Sequence, residues 1–213
     1  IIRATISRGF NYWHVSFTVY EKKRIPEAHR NPGSVVGIDM GVGDHVIVAA
    51  NPHGDEVMRR GLPTTIADHE KRIWYLQRKM SRKRGPDKKA KTTPSNRWTR
   101  ANNQVRKYHN TMANVRRDFA AKATHDLAKN YETVVIEDLN VRSMMARGGA
   151  YKRGLNRAIA QASFANLRRR IIYKTQWNGG TTIVADRWFP SSKTCSRCGE
   201  VKSKLSLSER EYM

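Results

Sequence analysis

Between residues 35 and 59 the apolar side chains fall into three short runs separated by only a few turn residues. Val35-Val36-Gly37-Ile38-Asp39 is followed by Gly41 and Gly43. The run over 45–50 is followed by Asn51-Pro52-His53-Gly54-Asp55, and a weaker run covers 56–59. Connections this short permit only antiparallel pairing, because a parallel crossover needs roughly a dozen residues. The spacing therefore predicts a three-strand meander and argues against a Rossmann fold.

Helical periodicity follows. From about residue 68, Ile73, Leu76 and Met80 share a face until Gly85 and Pro86 interrupt it. A second helix is predicted from near 95 to 129, with Trp98, Val105, Tyr108, Met112, Val115, Phe119, Ala123 and Leu127 on one side. Together they predict a helical hairpin. Residues 131–137 read as a strand and the basic stretch holding Gly148, Gly149 and Gly154 as a mobile loop. Residues 155–177 read as one helix with Ile159, Phe164, Leu167, Ile171 and Ile172 inside, and 181–185 as a last strand. Ahead of the meander, residues 1–24 alternate as a β-hairpin, and Pro26 and Pro32 mark a linker with a boundary near residue 30. The expected fold is α/β with long helical insertions.

Lys and Arg number 41 against 18 Asp and Glu, a formal charge of +23 with a sequence pI near 10.6. Solubility requires far less, so a polyanionic partner is implied. No apolar run reaches about 18 residues and no secretory signal is visible, so nucleic acid is favoured over a membrane. Ten Lys or Arg and one acid, Asp87, lie within residues 78–100. Arg82, Lys83, Arg84, Lys88, Lys89 and Arg97 are the phosphate-contact candidates there, joined by Arg168 and Arg169 on the later helix. Trp98, Tyr108, Trp177 and Trp188 sit among basic residues and could stack on bases, with core packing favoured for Trp98 and Tyr108.

Asp39 ends the first β-branched run and Glu137 ends Val134-Val135-Ile136. If the fourth strand lies beside the first, their oxygens can share a hard divalent cation. Phosphodiester cleavage uses such clusters to hold two Mg²⁺ about 3.5–4 Å apart. Position alone also allows each acid to be a turn or cap residue, the reading favoured for Asp138. Asp186 is a weaker candidate, since Arg187 and Trp188 replace a glycine turn after it, and it is left out of the site.

The two cysteines, Cys195 and Cys198, form C-x-x-C-G in a chain without an export signal. This excludes a disulfide framework and suggests a reducing compartment. Half a zinc ribbon fits the surroundings better than a redox C-x-x-C, which normally opens a helix. His45, His53, His69, His109 and His125 show no metal-ligand spacing. No P-loop and no G-x-S-x-G occurs.

The ordered set Gly37-Ile38-Asp39-Met40-Gly41, a basic helical hairpin, Val135-Ile136-Glu137-Asp138-Leu139-Asn140 and Pro190-Ser191-Ser192-Lys193-Thr194-Cys195-Ser196-Arg197-Cys198-Gly199 resembles TnpB. TnpB proteins, also called OrfB-type transposases, are transposon-encoded RNA-guided DNA endonucleases related to type V CRISPR effectors. The resemblance implies an RNase H-like, RuvC-type core over 31–190, with the hairpin at about 68–130. It implies the end of a wedge β-barrel and a linker over 1–30, and the start of a zinc-ribbon target-nucleic-acid-binding insertion over 191–213. It makes Asp39 and Glu137 catalytic Mg²⁺ ligands and Cys195 and Cys198 ligands of a structural Zn²⁺. The implied partners are guide RNA and target DNA, in a prokaryotic cytoplasm at the nucleoid. The family's third acid, an Asp, and its second cysteine pair would lie beyond Met213, so the chain is expected to be a fragment without a complete site. The alternatives are a nuclease-dead RNA-guided DNA binder and a DDE-type transposase. Glu137 on a central strand, with the cysteine pair after it, argues against the second.

Overall fold

The computed structural model describes residues 1–10, 12–87, 89–190, 193–195 and 198–203. Two compact units form, one from residues 1–25 and 62–123, the other from 26–61 and 124–213. No helix among the described residues is long and apolar enough to cross a membrane.

The first unit holds an antiparallel hairpin, β1 (Arg3–Arg8) with β2 (Trp13–Thr18), whose residues are all exposed. It also holds α1 (Thr65–Ser81) and the greater part of α2 (Asn96–Asn130). Ile66, Ile73 and Leu76 of α1 form a core cluster with Ala101, Val105 and Met112 of α2, and Tyr108 and Met80 pack at its margin. Helix α1 starts a few residues before its sequence signal, because the Ile66 amide bonds Pro63 O (3.0 Å) and adds one more turn. Along α2 the buried stripe drifts, so that Ala120 is buried and Phe119 only half-buried. Side chains spaced near 3.5 residues on a 3.6-residue helix rotate by about 20° per heptad.

The second unit is built on a five-stranded sheet ordered β5-β4-β3-β6-β7, from β3 (Val35–Asp39), β4 (Ile47–Ala50), β5 (Glu56–Arg60), β6 (Thr133–Glu137) and β7 (Thr181–Ala185). The first three strands form the expected antiparallel meander, and β6 and β7 run parallel to β3. Val36, Ile38, Ile47, Ala49, Val134 and Ile136 are buried on one face, as period-2 alternation requires.

After β6 come α3 (Val141–Met144), α4 (Ala150–Ala162) and α5 (Phe164–Trp177). One helix was expected over 155–177, but Ser163 breaks it in the left-handed conformation, at φ +56°. Its hydroxyl donates to Ala160 O (3.1 Å) and its amide to Ile159 O (3.1 Å), so the serine closes α4 and opens α5. Gly154 accordingly lies inside α4, not in a loop. Phe164, Leu167 and Ile171 are buried, whereas Ile172, one step off that stripe, is exposed.

The segment before β3 is stapled to the end of α2. His29, one of the few buried polar residues, donates from Nε2 to Ala128 O (3.1 Å), and its Nδ1 accepts from the Asn31 amide (3.1 Å). Asn31 Nδ2 donates to Asn130 O (3.0 Å), which satisfies another carbonyl left over at the helix end. Ser34 Oγ accepts from the Glu132 amide (2.9 Å) and Ser34 O from the Thr133 amide (2.9 Å), joining the starts of β3 and β6. Replacing His29 by Ala leaves the Ala128 carbonyl without this bond. The expected cost is about 2 kcal/mol, read as a fall in Tm of about 4–8 °C in a thermal melt.

Candidate metal centre and nucleic-acid interface

The β3–β6 ladder pairs Val35 with Thr133 and Ile38 with Ile136, so the next step sets Asp39 beside Glu137. Neighbours on adjacent strands lie roughly 4.8 Å apart and point to the same face. Both acids therefore project from the face opposite the Val36 and Ile38 core. They line a groove of about 750 Å³ with Val35, Gly37, Val48, Ala50, Asn51, Pro52 and Val135. Gly37 keeps its floor low: a Cβ there would meet only Ala50 O, at 3.9 Å.

Burial raises the Glu137 carboxyl above the ordinary carboxylate range, and the charge of Asp39 adds to the effect. A cation between two such acids removes the repulsion, and an all-oxygen donor pair suits a hard ion such as Mg²⁺. The residues present fit that use as two ligands; no group of three or more His, Cys, Asp or Glu that could hold a metal occurs among the described residues.

Asp138 points the other way. Its Oδ1 accepts from Arg168 Nη1 (2.9 Å) and its Oδ2 from Arg187 Nη2 (2.5 Å), while its backbone oxygen accepts from Arg187 Nε (3.0 Å). The Arg168 hydrogen bond and the nearby Arg187 hold its carboxyl below the usual range. The cap role expected for Asp138 belongs to Asn140, whose Oδ1 accepts from the Ser143 amide (3.0 Å). Nothing in the sequence around Arg187 announces its part. Asp186 closes its own turn by accepting from the Trp188 amide (2.9 Å) and does not line the groove.

The basic candidates are placed as follows. Arg82, Arg84, Lys89, Arg97 and Arg169 are exposed and Lys83 is half-buried, while Lys88 falls outside the described residues. Arg168 is the exception, half-buried and committed to Asp138. Asp87, the lone acid of the basic stretch, braces the loop: its Oδ1 accepts from the Lys89 (2.8 Å) and Ala90 (3.1 Å) amides. Sequence reading missed two exposed rings on α1. Arg78 lies over Trp74 at 4.6 Å and Lys79 over Tyr75 at 5.6 Å, an i, i+4 aromatic–cation pattern visible in hindsight. Trp98 and Tyr108 are half-buried, and Trp188 is 83% exposed.

Cys195 and Cys198 stand on one tight turn. The Gly199 amide donates to Cys195 O (2.9 Å), the Cys195 amide donates to Glu200 O (2.8 Å), and Thr194 bridges Val201. Gly199 takes φ +76°, which glycine adopts without strain. Neither cysteine forms a disulfide.

Because Glu137 titrates above its unfolded value of 4.5, its contribution to stability is present below that pH and is lost as pH rises through the raised value. Glu137→Gln should thus raise Tm at pH 7. The gain should vanish at pH values below 4.5, as checked by melts across that range.

Residues 17–148 match the family described as a probable transposase of the OrfB type, and residues 164–213 match the Cas12f1-like TNB domain. A Streptomyces pristinaespiralis protein named "Putative RNA-guided DNA endonuclease" is 36% identical over 183 residues, covering 84% of this chain and 40% of that protein. InsQ of Escherichia coli strain K12, named in the same way, is 28% identical over 218 residues, covering 98% of this chain and 50% of its own. The Cas12f1 chain in a cryo-EM complex with sgRNA and target DNA shares the fold, with a TM-score of 0.54 at 18% identity over 93% of this chain and 38% of that one. The chain thus spans half or less of the length of these relatives. With the transposase-family match taking in more than half of its residues, the chain belongs to the OrfB-type family, the TnpB proteins.

Proposed function

We propose that the chain contributes the metal-binding strands of an RNA-guided, Mg²⁺-dependent DNA endonuclease of the TnpB type. The observation that carries this reading is the placement of Asp39 and Glu137 side by side on one open sheet face. The relatives' names and the family match support it. In this reading the five-stranded sheet is an RNase H-like, RuvC-type core, β1–β2 is the end of a wedge barrel, and the Cys195–Cys198 turn begins a zinc ribbon.

Asp39 and Glu137 offer carboxylate oxygens to Mg²⁺. When bound, a Mg²⁺ pair supplies an activated water and neutralises charge on the leaving oxygen. Cys195 and Cys198 supply two thiolates toward Zn²⁺, and the tight turn at Gly199 presents them. The exposed Arg82, Arg84, Lys89, Arg97 and Arg169 draw in phosphate backbones of guide RNA and target DNA, which contributes affinity without reading sequence.

Two experiments test the proposal. The product of the complete native gene, purified from cells, should carry a discrete RNA, identified by sequencing, and should cleave matching DNA with Mg²⁺ but not when Asp39 is replaced by Ala. Absence of bound RNA overturns the guided reading, and equal cleavage by Asp39→Ala overturns the site. Separately, Arg82→Ala, Arg84→Ala and Lys89→Ala combined should weaken binding to all sequences alike. The slope of log affinity against log salt should become shallower by about 2–3.

A further inference from the structure

We propose that Asp138 is a positioning residue for the metal centre: gripped by Arg187 and Arg168, it holds the end of β6, and with it Glu137, in place. This rests on reading Asp39 and Glu137 as metal ligands. Glu137 is the last residue of its strand. It is paired with Ala185 on the β7 side, whereas the β3 ladder stops at Ile38 and Ile136. A metal ligand must be held to within about 0.5 Å, which a strand end with one laddered side does not provide by itself.

The grip supplies what the ladder lacks. Arg187 donates from Nε to the backbone oxygen of Asp138 and from Nη2 to its carboxylate, so one planar guanidinium holds both main chain and side chain. Arg168, carried on α5, takes the other carboxylate oxygen. Arg187 is itself placed by the Asp186 turn, in which the Phe189 amide donates to Asp186 O (3.1 Å). Magnitude separates a positioning role from a stabilising one. The side chains of Asp138, Arg168 and Arg187 are 32%, 34% and 41% exposed, and ion pairs this accessible add little to global stability. The consequence of the grip is geometric, falling on the adjacent carboxylate.

The test is Mn²⁺ binding to the full chain, followed by the EPR signal of free Mn²⁺, with a thermal melt on every variant. Arg187→Lys keeps the charge but loses the two-point fork, and Asp138→Asn weakens both partners. Each should lower Mn²⁺ affinity about tenfold or more with Tm nearly unchanged. Arg168→Lys, which can still donate one bond, should stay close to the parent. Parent-like affinity in both Arg187→Lys and Asp138→Asn overturns the proposal, as does a loss of affinity that only follows loss of structure. Asp39→Ala separates the two layers. If it binds less Mn²⁺ while Arg187→Lys does not, the positioning role alone fails; if it binds Mn²⁺ as the parent does, the metal-ligand reading beneath it fails.

Discussion

The parallel register of β3 against β6 is the constraint on which the second unit depends. Four hydrogen bonds at its root set that register: Asn31 to Asn130, the Gly33 amide to Glu132 Oε2 (2.6 Å), the Glu132 amide to Ser34 Oγ, and the Thr133 amide to Ser34 O. Side chains alternate faces along a strand, so a slip of one residue would turn Ile136 toward the groove and Glu137 into the core. The burial of Val36, Ile38, Val134 and Ile136 opposes that slip, since each would lose its apolar surroundings together. The same apolar packing that stabilises the sheet thus leaves Asp39 and Glu137 on its open side.

Charge is distributed in a way that net composition hides. A chain of formal charge +23 nevertheless sets two acids against each other in one groove, where burial and the Asp39 charge raise the Glu137 carboxyl. Other acids are spent locally: Asp87 bonds its own loop's amides, Asp186 its own turn, and Asp138 two arginines. Arg82, Arg84, Lys89 and Arg97 stay exposed, while Asp39 and Glu137 share one groove.

Elements with a strong period were legible in the sequence. The meander followed from three apolar runs with short turns, the third of them weak, and the α1–α2 hairpin from Ile73, Leu76, Val105 and Met112 recurring at helical spacing. Asp39 and Glu137 stood out because each ends an apolar strand. The features that stayed hidden depend on contacts between distant residues or on a single backbone angle. Asp138 meets Arg168 and Arg187 across 30 and 49 positions, and His29 meets Ala128 across 99. No local pattern encodes such pairs. The helix break at Ser163 rests on one left-handed residue, and serine at that point does not interrupt the apolar period around it.

The bond between Ser34 and Glu132 spans 98 positions of chain, yet it leaves no slack at the strand starts it joins. Length is therefore free to drift in some places and frozen in others. The exposed residues 89–93 lie in the first unit and can gain or lose positions without changing the β3–β6 register. A single-codon insertion or deletion between Ser34 and Asp39 would rotate one acid away from the other, so lineages of this fold should vary at their loops while keeping that interval constant.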